Sequence, residues 1–141
     1  MRPLIKDMSF IYKLKQYYSG ICSPLCRSTG LSQTAVDIIL FLANNPEYKS
    51  ASDIVEVRFI KKNLVSVNVE KLVDEGYLKR RSDDDDRRKV TLLLTCKADP
   101  IIKEGRKIQN EFMKCLLKGV STKEQEEFEK IIGKMCGNLD E

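Results

Sequence analysis

Two groups of side chains in the middle of the chain have the types and spacing needed to contact double-stranded DNA. The first group stands at the start of a predicted helix and comprises Lys61, Lys62, Asn63, Ser66 and Val67. Lysine suits guanine, asparagine suits adenine, and a valine methyl can contact the thymine methyl in the major groove. An amphipathic helix with a solvated face would carry similar residues, so this group by itself leaves both interpretations open.

The second group consists of arginines on either side of a short acidic run, namely Arg80, Arg81, Arg87 and Arg88. Arginines on a thin hairpin can enter the minor groove of DNA, where a narrow groove concentrates negative potential. The acidic run from Asp83 to Asp86 would repel phosphates and suits a solvated turn. An aspartate near Arg88 could nevertheless hold that guanidinium in a bidentate pair, with Arg88 as the first choice for the groove.

Composition excludes most enzyme chemistry. The 141 residues carry a net charge of +4 and include no histidine, which removes the commonest general base and metal ligand. The seven glycines stand singly, so the sequence offers no glycine-rich loop to hold a phosphate. We therefore predict that the protein is not an enzyme and needs no metal or cofactor.

The lengths of the apolar runs and the number of cysteines indicate the cellular compartment. No apolar run approaches the roughly 18 residues that a membrane span needs, so we expect no membrane partner. The five cysteines are an odd, scattered set that suits free thiols in a reducing environment. The sequence predicts one compact cytoplasmic unit.

Helical spacing predicts the first two elements. A helix is expected over residues 4–18, and the breakers at Gly20 and Pro24 are expected to end it. Ser32 then has the position of an N-cap for a second helix that extends to about Ala43 and is apolar on nearly every side. Such a helix belongs at the centre of the fold.

A helix-turn-helix pattern follows. Ser50 and Asp53 have the spacing of a capping box for a short helix, and residues 62–75 form an amphipathic helix after a short turn. The period then changes to alternation over residues 77–81 and 89–94, which predicts two strands of a hairpin. A hairpin in this position is a wing.

The two ends of the chain carry helical apolar stripes, over residues 4–18 and 101–139. Exposed stripes of this length favour association, so a symmetric homodimer is expected. The predicted fold is mainly α with a small β-hairpin wing, a winged helix-turn-helix flanked by dimerisation helices. Its parts are an N-terminal helix and connection over 1–30, the winged domain over 31–99 and C-terminal helices over 100–141.

The wing carries the most specific motif. The run from Asp86 to Thr95 resembles the wing signature of the MarR (multiple antibiotic resistance regulator) family, in which D-x-R precedes an alternating strand ending in Leu-Thr. The sequence around Ser66 and the Gly76-Tyr77-Leu78 segment resemble the recognition helix and first wing strand of the same family. The resemblance extends over essentially the whole chain.

This resemblance implies a homodimeric winged-helix transcription regulator, usually a repressor, that binds a palindromic operator. It also implies roles for three residues: Asp86 would orient Arg88, Arg88 would enter the minor groove, and Ser66 would contact DNA from the recognition helix. Two positions depart from the family pattern, because Val67 replaces a basic or polar side chain and Asn68 an apolar one.

The same resemblance suggests two kinds of signal. Family members often bind a small aromatic or phenolic anion, and the candidate residues here are Tyr12, Tyr17, Tyr18 and Arg27. The alternative is that these tyrosines pack in a core or an interface. Another branch of the family senses oxidants through cysteine, for which Cys22 and Cys26 are candidates, with inert buried thiols as the alternative.

A different class of function also fits the sequence. A winged-helix module could bind a protein partner without specific DNA binding, and the acidic run beside the arginines would suit such a partner. A DNA-binding regulator and a protein-interaction module would differ in how their binding depends on salt. The affinity for DNA falls steeply with salt, because binding to phosphates releases counterions.

Overall fold

The computed structural model describes residues 8–82, 85 and 88–140. These residues form six α-helices and one antiparallel hairpin: α1 Ser9–Thr29, α2 Gln33–Asn44, α3 Ala51–Arg58, α4 Lys62–Asp74, β1 Leu78–Ser82, β2 Val90–Leu94, α5 Asp99–Leu116 and α6 Thr122–Leu139. The predicted mainly helical fold with a winged helix-turn-helix is confirmed. The chain divides into two compact units, Met1–Gln109 and Asn110–Glu141.

Serine N-caps start three of the helices, and the sequence predicts two of these caps, at Ser32 and Ser50. The Ser32 hydroxyl accepts a hydrogen bond from the Ala35 backbone N–H at 3.1 Å. Ser50 and Ser121 each form a complete capping box with the acidic residue three positions later. Each cap satisfies N–H groups that the helix itself leaves without acceptors.

Helix α1 is longer than the sequence predicts. It continues through Gly20 and Pro24 to Thr29, so the expectation that these two residues end it is wrong. The helix buries Cys22 and Leu25 in the core, and this packing outweighs the single N–H donor that proline removes. Gly30, in the left-handed region at φ 72°, ends the helix. The predicted start at residue 4 lies outside the described residues.

Helix α2 lies at the centre of the first unit, as its composition predicts. Ile38, Ile39 and Leu40 are at most 2% exposed, and α2 contacts α1, α3, α4 and β2. The segment before α3 borders the wing, since the Leu92 N–H donates to the Lys49 carbonyl at 2.7 Å. The central helix therefore holds the helix-turn-helix and the wing in one body.

The register of the hairpin places its buried leucines on one face. Leu78 pairs with Leu94, and Arg80 pairs with the buried Leu92. The wing base is fixed to the end of α4 by hydrogen bonds from the Thr95 hydroxyl to the Gly76 carbonyl at 2.6 Å and from the Thr95 N–H to the Tyr77 carbonyl at 3.0 Å. The wing is therefore positioned by the helix that precedes it.

The turn between α3 and α4 contains a strained residue. Phe59, the C-cap of α3, has φ 57° and ψ 36°, and it is the one non-glycine residue with positive φ in the described ranges. This left-handed conformation costs an L-residue about 1–2 kcal/mol, and it is rare for a bulky side chain.

The second unit contains the last helix, α6, which buries none of its residues within the described chain. Its apolar side chains lie along one side and are substantially exposed, namely Phe128, Ile131, Ile132, Met135 and Leu139. Across the described residues, no helix combines the length and apolar character needed to cross a lipid bilayer.

Candidate nucleic-acid interface

The start of α4 differs from the three serine-capped helices. Its N-cap is Lys61, for which the structure describes no side-chain cap hydrogen bond, and its first turn contains no acidic residue. The N-terminal N–H groups and the positive end of the helix dipole therefore face solvent beside two lysines. This end of α4 is suited to an anionic ligand such as a DNA phosphate.

The predicted base-contacting residues lie on the solvent side of α4. All five are exposed: Lys61, Lys62, Asn63, Ser66 and Val67. Val65, Val69 and Leu72 point into the core and are at most 4% exposed. The side chain of Val67 is 67% exposed, so the departure from the family pattern puts an apolar group on the outer face of this helix.

The wing arginines separate into different environments. Arg80 is held by Glu70 of α4, with 2.9 Å between the guanidinium Nη2 and the carboxylate Oε2. This pair ties the wing strand to α4, so a DNA contact by Arg80 would compete with it. Arg81 and Arg88 are exposed. Asp86 and Arg87 lie outside the described residues. The predicted pair of Asp86 with Arg88 therefore stays a prediction.

A groove of about 440 Å³ lies between α3, α4 and the wing. Lys62 and Ser66 from α4 and Arg80 from β1 line it together. Its apolar lining is supplied by Val55, Val65, Val69, Val90 and Leu92. The groove thus brings together two residues of the helix group, Lys62 and Ser66, and one of the wing group, Arg80.

Asn68 is a functional candidate that sequence reasoning noted only as a departure. Its side chain is buried, and its Oδ1 accepts a hydrogen bond from the Ser32 hydroxyl at 2.8 Å. Its Nδ2 donates to the Leu64 carbonyl, also at 2.8 Å. Because Ser32 is the N-cap of α2, this network fixes the rotation of α4 against the central helix.

We expect Asn68→Ala to lower the free energy of unfolding by about 1–3 kcal/mol, because it removes a buried hydrogen-bond partner of Ser32 and leaves a void. Asn63→Ala, which changes an exposed residue of the same helix, is the matched control and should change stability by less than about 0.5 kcal/mol. Urea unfolding of both variants measures the difference. Equal effects in the two variants would show that the network contributes nothing.

The four candidate effector residues do not share one environment. Tyr12 and Tyr17 are 65% and 50% exposed, whereas Tyr18 packs against the core. Burial raises the pKa of Tyr18 to about 12 despite an opposing hydrogen bond with Gln109. At 100° per residue, the three tyrosines point to different sides of α1. Arg27 is exposed and donates to the Ser23 hydroxyl at 3.2 Å.

The two candidate redox cysteines lie one turn apart on α1. Cys22 is 1% exposed, and Cys26 is partly buried. Burial raises the pKa of both thiols, and the nearby Asp37 carboxylate raises both further. A raised pKa disfavours the reactive thiolate, which supports the alternative of inert thiols over an oxidant sensor.

Asp37 is an acidic residue within the apolar run of α2. Its side chain is 14% exposed and lies 3.8 Å from Arg58, the last residue of α3. Its Oδ1 atom is buried and has no hydrogen-bond partner among the described residues. Burial raises the pKa of Asp37 to about 6, although Arg58 opposes the shift.

Comparison with known proteins agrees with this geometry. Residues 29–89, from the end of α1 to the wing, match the sequence model of the MarR family. No match was found among curated protein sequences.

Solved structures share the fold over nearly the whole chain. Transcriptional regulator PA3341 is 20% identical, with a TM-score of 0.80 over 94% of this chain and 96% of that chain. A MarR transcriptional regulator from Methanosarcina mazei Go1 is 23% identical, with a TM-score of 0.70 over 98% and 96%. The heme sensor protein PefR from Streptococcus agalactiae, in complex with heme, is 18% identical, with a TM-score of 0.61 over 99% and 95%.

The family match covers the helix-turn-helix and the first wing strand, and the shared fold extends well beyond both. Together they confirm the resemblance that the wing motif carries: residues 29–89 of this chain match the MarR family model, and the chain shares the fold of MarR-family structures.

Proposed function

We propose that the protein is a sequence-specific transcription regulator that binds double-stranded DNA as a homodimer and acts as a repressor. The observation that carries this proposal is the surface on which Lys62 and Ser66 of α4 meet Arg80 of the wing. A helix-turn-helix presents the N-terminal part of its second helix to the major groove, and the adjoining wing can reach the neighbouring minor groove.

Each predicted group then has a distinct task. Lys61 and Lys62 neutralise phosphates beside the positive end of α4, while Asn63, Ser66 and Val67 face the base edges. Arg81 and Arg88 extend the positive surface along the wing. The Glu70–Arg80 pair keeps the wing at a fixed distance from α4.

Two copies would place two such surfaces on a palindromic operator with half-sites about one helical turn apart. The exposed apolar side of α6 supports this arrangement, because a stripe of this size is ordinarily covered by a partner. A signal that changes the spacing of the two surfaces would release the DNA.

A small molecule is the favoured signal. PefR, whose fold this chain shares, is a heme sensor. The three α1 tyrosines point to different sides of the helix and therefore do not identify the class of the molecule. The raised thiol pKa values of Cys22 and Cys26 argue against direct oxidation as the signal.

Selection from a pool of randomised duplexes, followed by titration of the selected duplex at several salt concentrations, tests the proposal. We expect a palindrome and a steep loss of affinity with salt. Lys62→Ala and Arg88→Ala should each lower the affinity by about tenfold, and each should reduce the slope of log affinity against log salt by about one.

Lys107→Ala is the matched control, because Lys107 is an exposed lysine of α5 that does not line the groove, and its replacement should leave the affinity and the slope unchanged. Failure to enrich any duplex, with a protein partner recovered instead, would favour the interaction-module alternative.

A further inference from the structure

Phe59 has the most exposed large apolar side chain in the described ranges, at 89%. It occupies the turn between α3 and α4 with its backbone in the left-handed region, at φ 57°. The left-handed backbone ends α3 and turns the chain toward α4, but the exposed ring contributes nothing to the isolated fold. The ring is left in water, and the backbone adopts a conformation that helix ends normally assign to glycine or asparagine, as Gly30 does after α1.

The neighbours of Phe59 explain the direction of its side chain. Arg58 turns toward Asp37 of α2, and Ile60 packs against the core. The residue between them projects away from the body of the protein. A strained and exposed residue that contributes nothing to packing indicates a functional contact, since such conformations concentrate at binding sites.

The residues next to Phe59 indicate which group its ring contacts. Phe59 immediately precedes Ile60, Lys61 and the first turn of α4, the end that the proposed function directs into the major groove. The two lysines supply charge for phosphates, but a phenyl ring has no hydrogen bond to offer a base. In the major groove the apolar group available to such a ring is the thymine C5-methyl.

We propose that Phe59 is a further specificity-determining residue, whose ring contacts a thymine methyl at one edge of each operator half-site. This inference rests on the proposed DNA-binding function and adds a base preference to it.

Phe59→Gly tests the inference without the danger of a misfolded variant. Glycine accepts the left-handed backbone, so the thermal midpoint should stay the same or rise. The affinity for the duplex that the wild-type protein selects should nevertheless fall by about tenfold. The affinity is thus expected to fall without a loss of stability.

Replacing each thymine of that duplex in turn with deoxyuridine removes one methyl group at a time. At one position in each half-site the wild-type affinity should fall by about fourfold, the equivalent of one buried methylene. For Phe59→Gly, uracil at that position should carry no further penalty, because the ring that contacts the methyl is gone.

Val67→Ala is the matched control, since Val67 is the most exposed apolar residue of α4 itself and should be coupled to a different thymine or to none. Unchanged affinity in Phe59→Gly, or an equal uracil penalty in the variant and the wild type, would overturn the inference alone. Failure of the wild-type protein to select any duplex would overturn the proposed function and the inference together.

Discussion

Ile131→Asp is expected to separate the proposed dimer into monomers and to lower operator affinity by about 100-fold or more. Ile131 is 55% exposed in the single chain and lies within the apolar side of α6. Placing a carboxylate in a covered apolar interface buries a charge without a partner. A monomer would also lose the gain of about 10²–10⁴ that comes from binding two half-sites at once.

Lys130→Asp provides the control for this prediction. Lys130 lies one residue away, on the opposite side of α6 from the apolar stripe, and its replacement changes the net charge by more than Ile131→Asp does. We expect this variant to remain dimeric. Sedimentation analysis gives the oligomeric state, and titration of the selected duplex gives the affinity. A dimeric Ile131→Asp with full affinity would show that α6 is not the interface.

The sequence was most informative where local chemistry decides the structure. The capping serines Ser32, Ser50 and Ser121 mark helix starts because their hydroxyls satisfy N–H groups a few residues away. The alternation of the wing residues likewise predicts two strands, since one face of the hairpin is buried around Leu92. In both cases the deciding interaction lies within a few residues of the signal.

The sequence is less informative where contacts between residues far apart in the chain determine the structure. Pro24 is a helix breaker by local criteria, but α1 continues through it because Cys22 and Leu25 contribute to the core. The partner of Asn68 is Ser32, 36 positions away, and no local pattern indicates that pair. The exposure of Phe59 depends on which neighbours turn inward, and this too requires the packed structure.

The sequence contains a further signal at Asp37, which is an acidic residue within an apolar run. A single acidic residue inside the apolar run of α2 is unusual, since buried carboxylates require compensation. The sequence could indicate an ionisable group at the core boundary. Only the structure shows that Arg58 lies 3.8 Å away and that Oδ1 has no partner among the described residues.

Asp37→Asn is therefore expected to stabilise the protein by about 2–3 kcal/mol above pH 6. The pKa of Asp37 is about 6 in the folded chain, against an ordinary value of 3.8. Between these two values the folded chain holds a proton that the unfolded chain has released. The stability of the wild-type protein consequently falls as the pH rises through this window, and above it the folded chain carries a poorly solvated charge.

The amide removes that charge at every pH. Its advantage over the wild type should be small near pH 3.5, grow between about pH 4 and 6, and become constant above pH 6. Arg58 loses its partner in the variant, but its side chain is 47% exposed and remains solvated. Urea unfolding of both proteins across this range measures the difference.

Asp53→Asn is a control of opposite sign. The backbone N–H groups of Lys49 and Ser50 donate to the Asp53 carboxylate, and although burial opposes them, the pKa of Asp53 is lowered. This carboxylate stabilises the fold above its ordinary pKa and loses that effect as the pH falls, so Asp53→Asn should destabilise the protein at neutral pH.

Parallel stability curves for Asp37→Asn and the wild type would contradict the prediction for Asp37. They would show that burial of Asp37 costs no stability and that the pair with Arg58 compensates its charge in full.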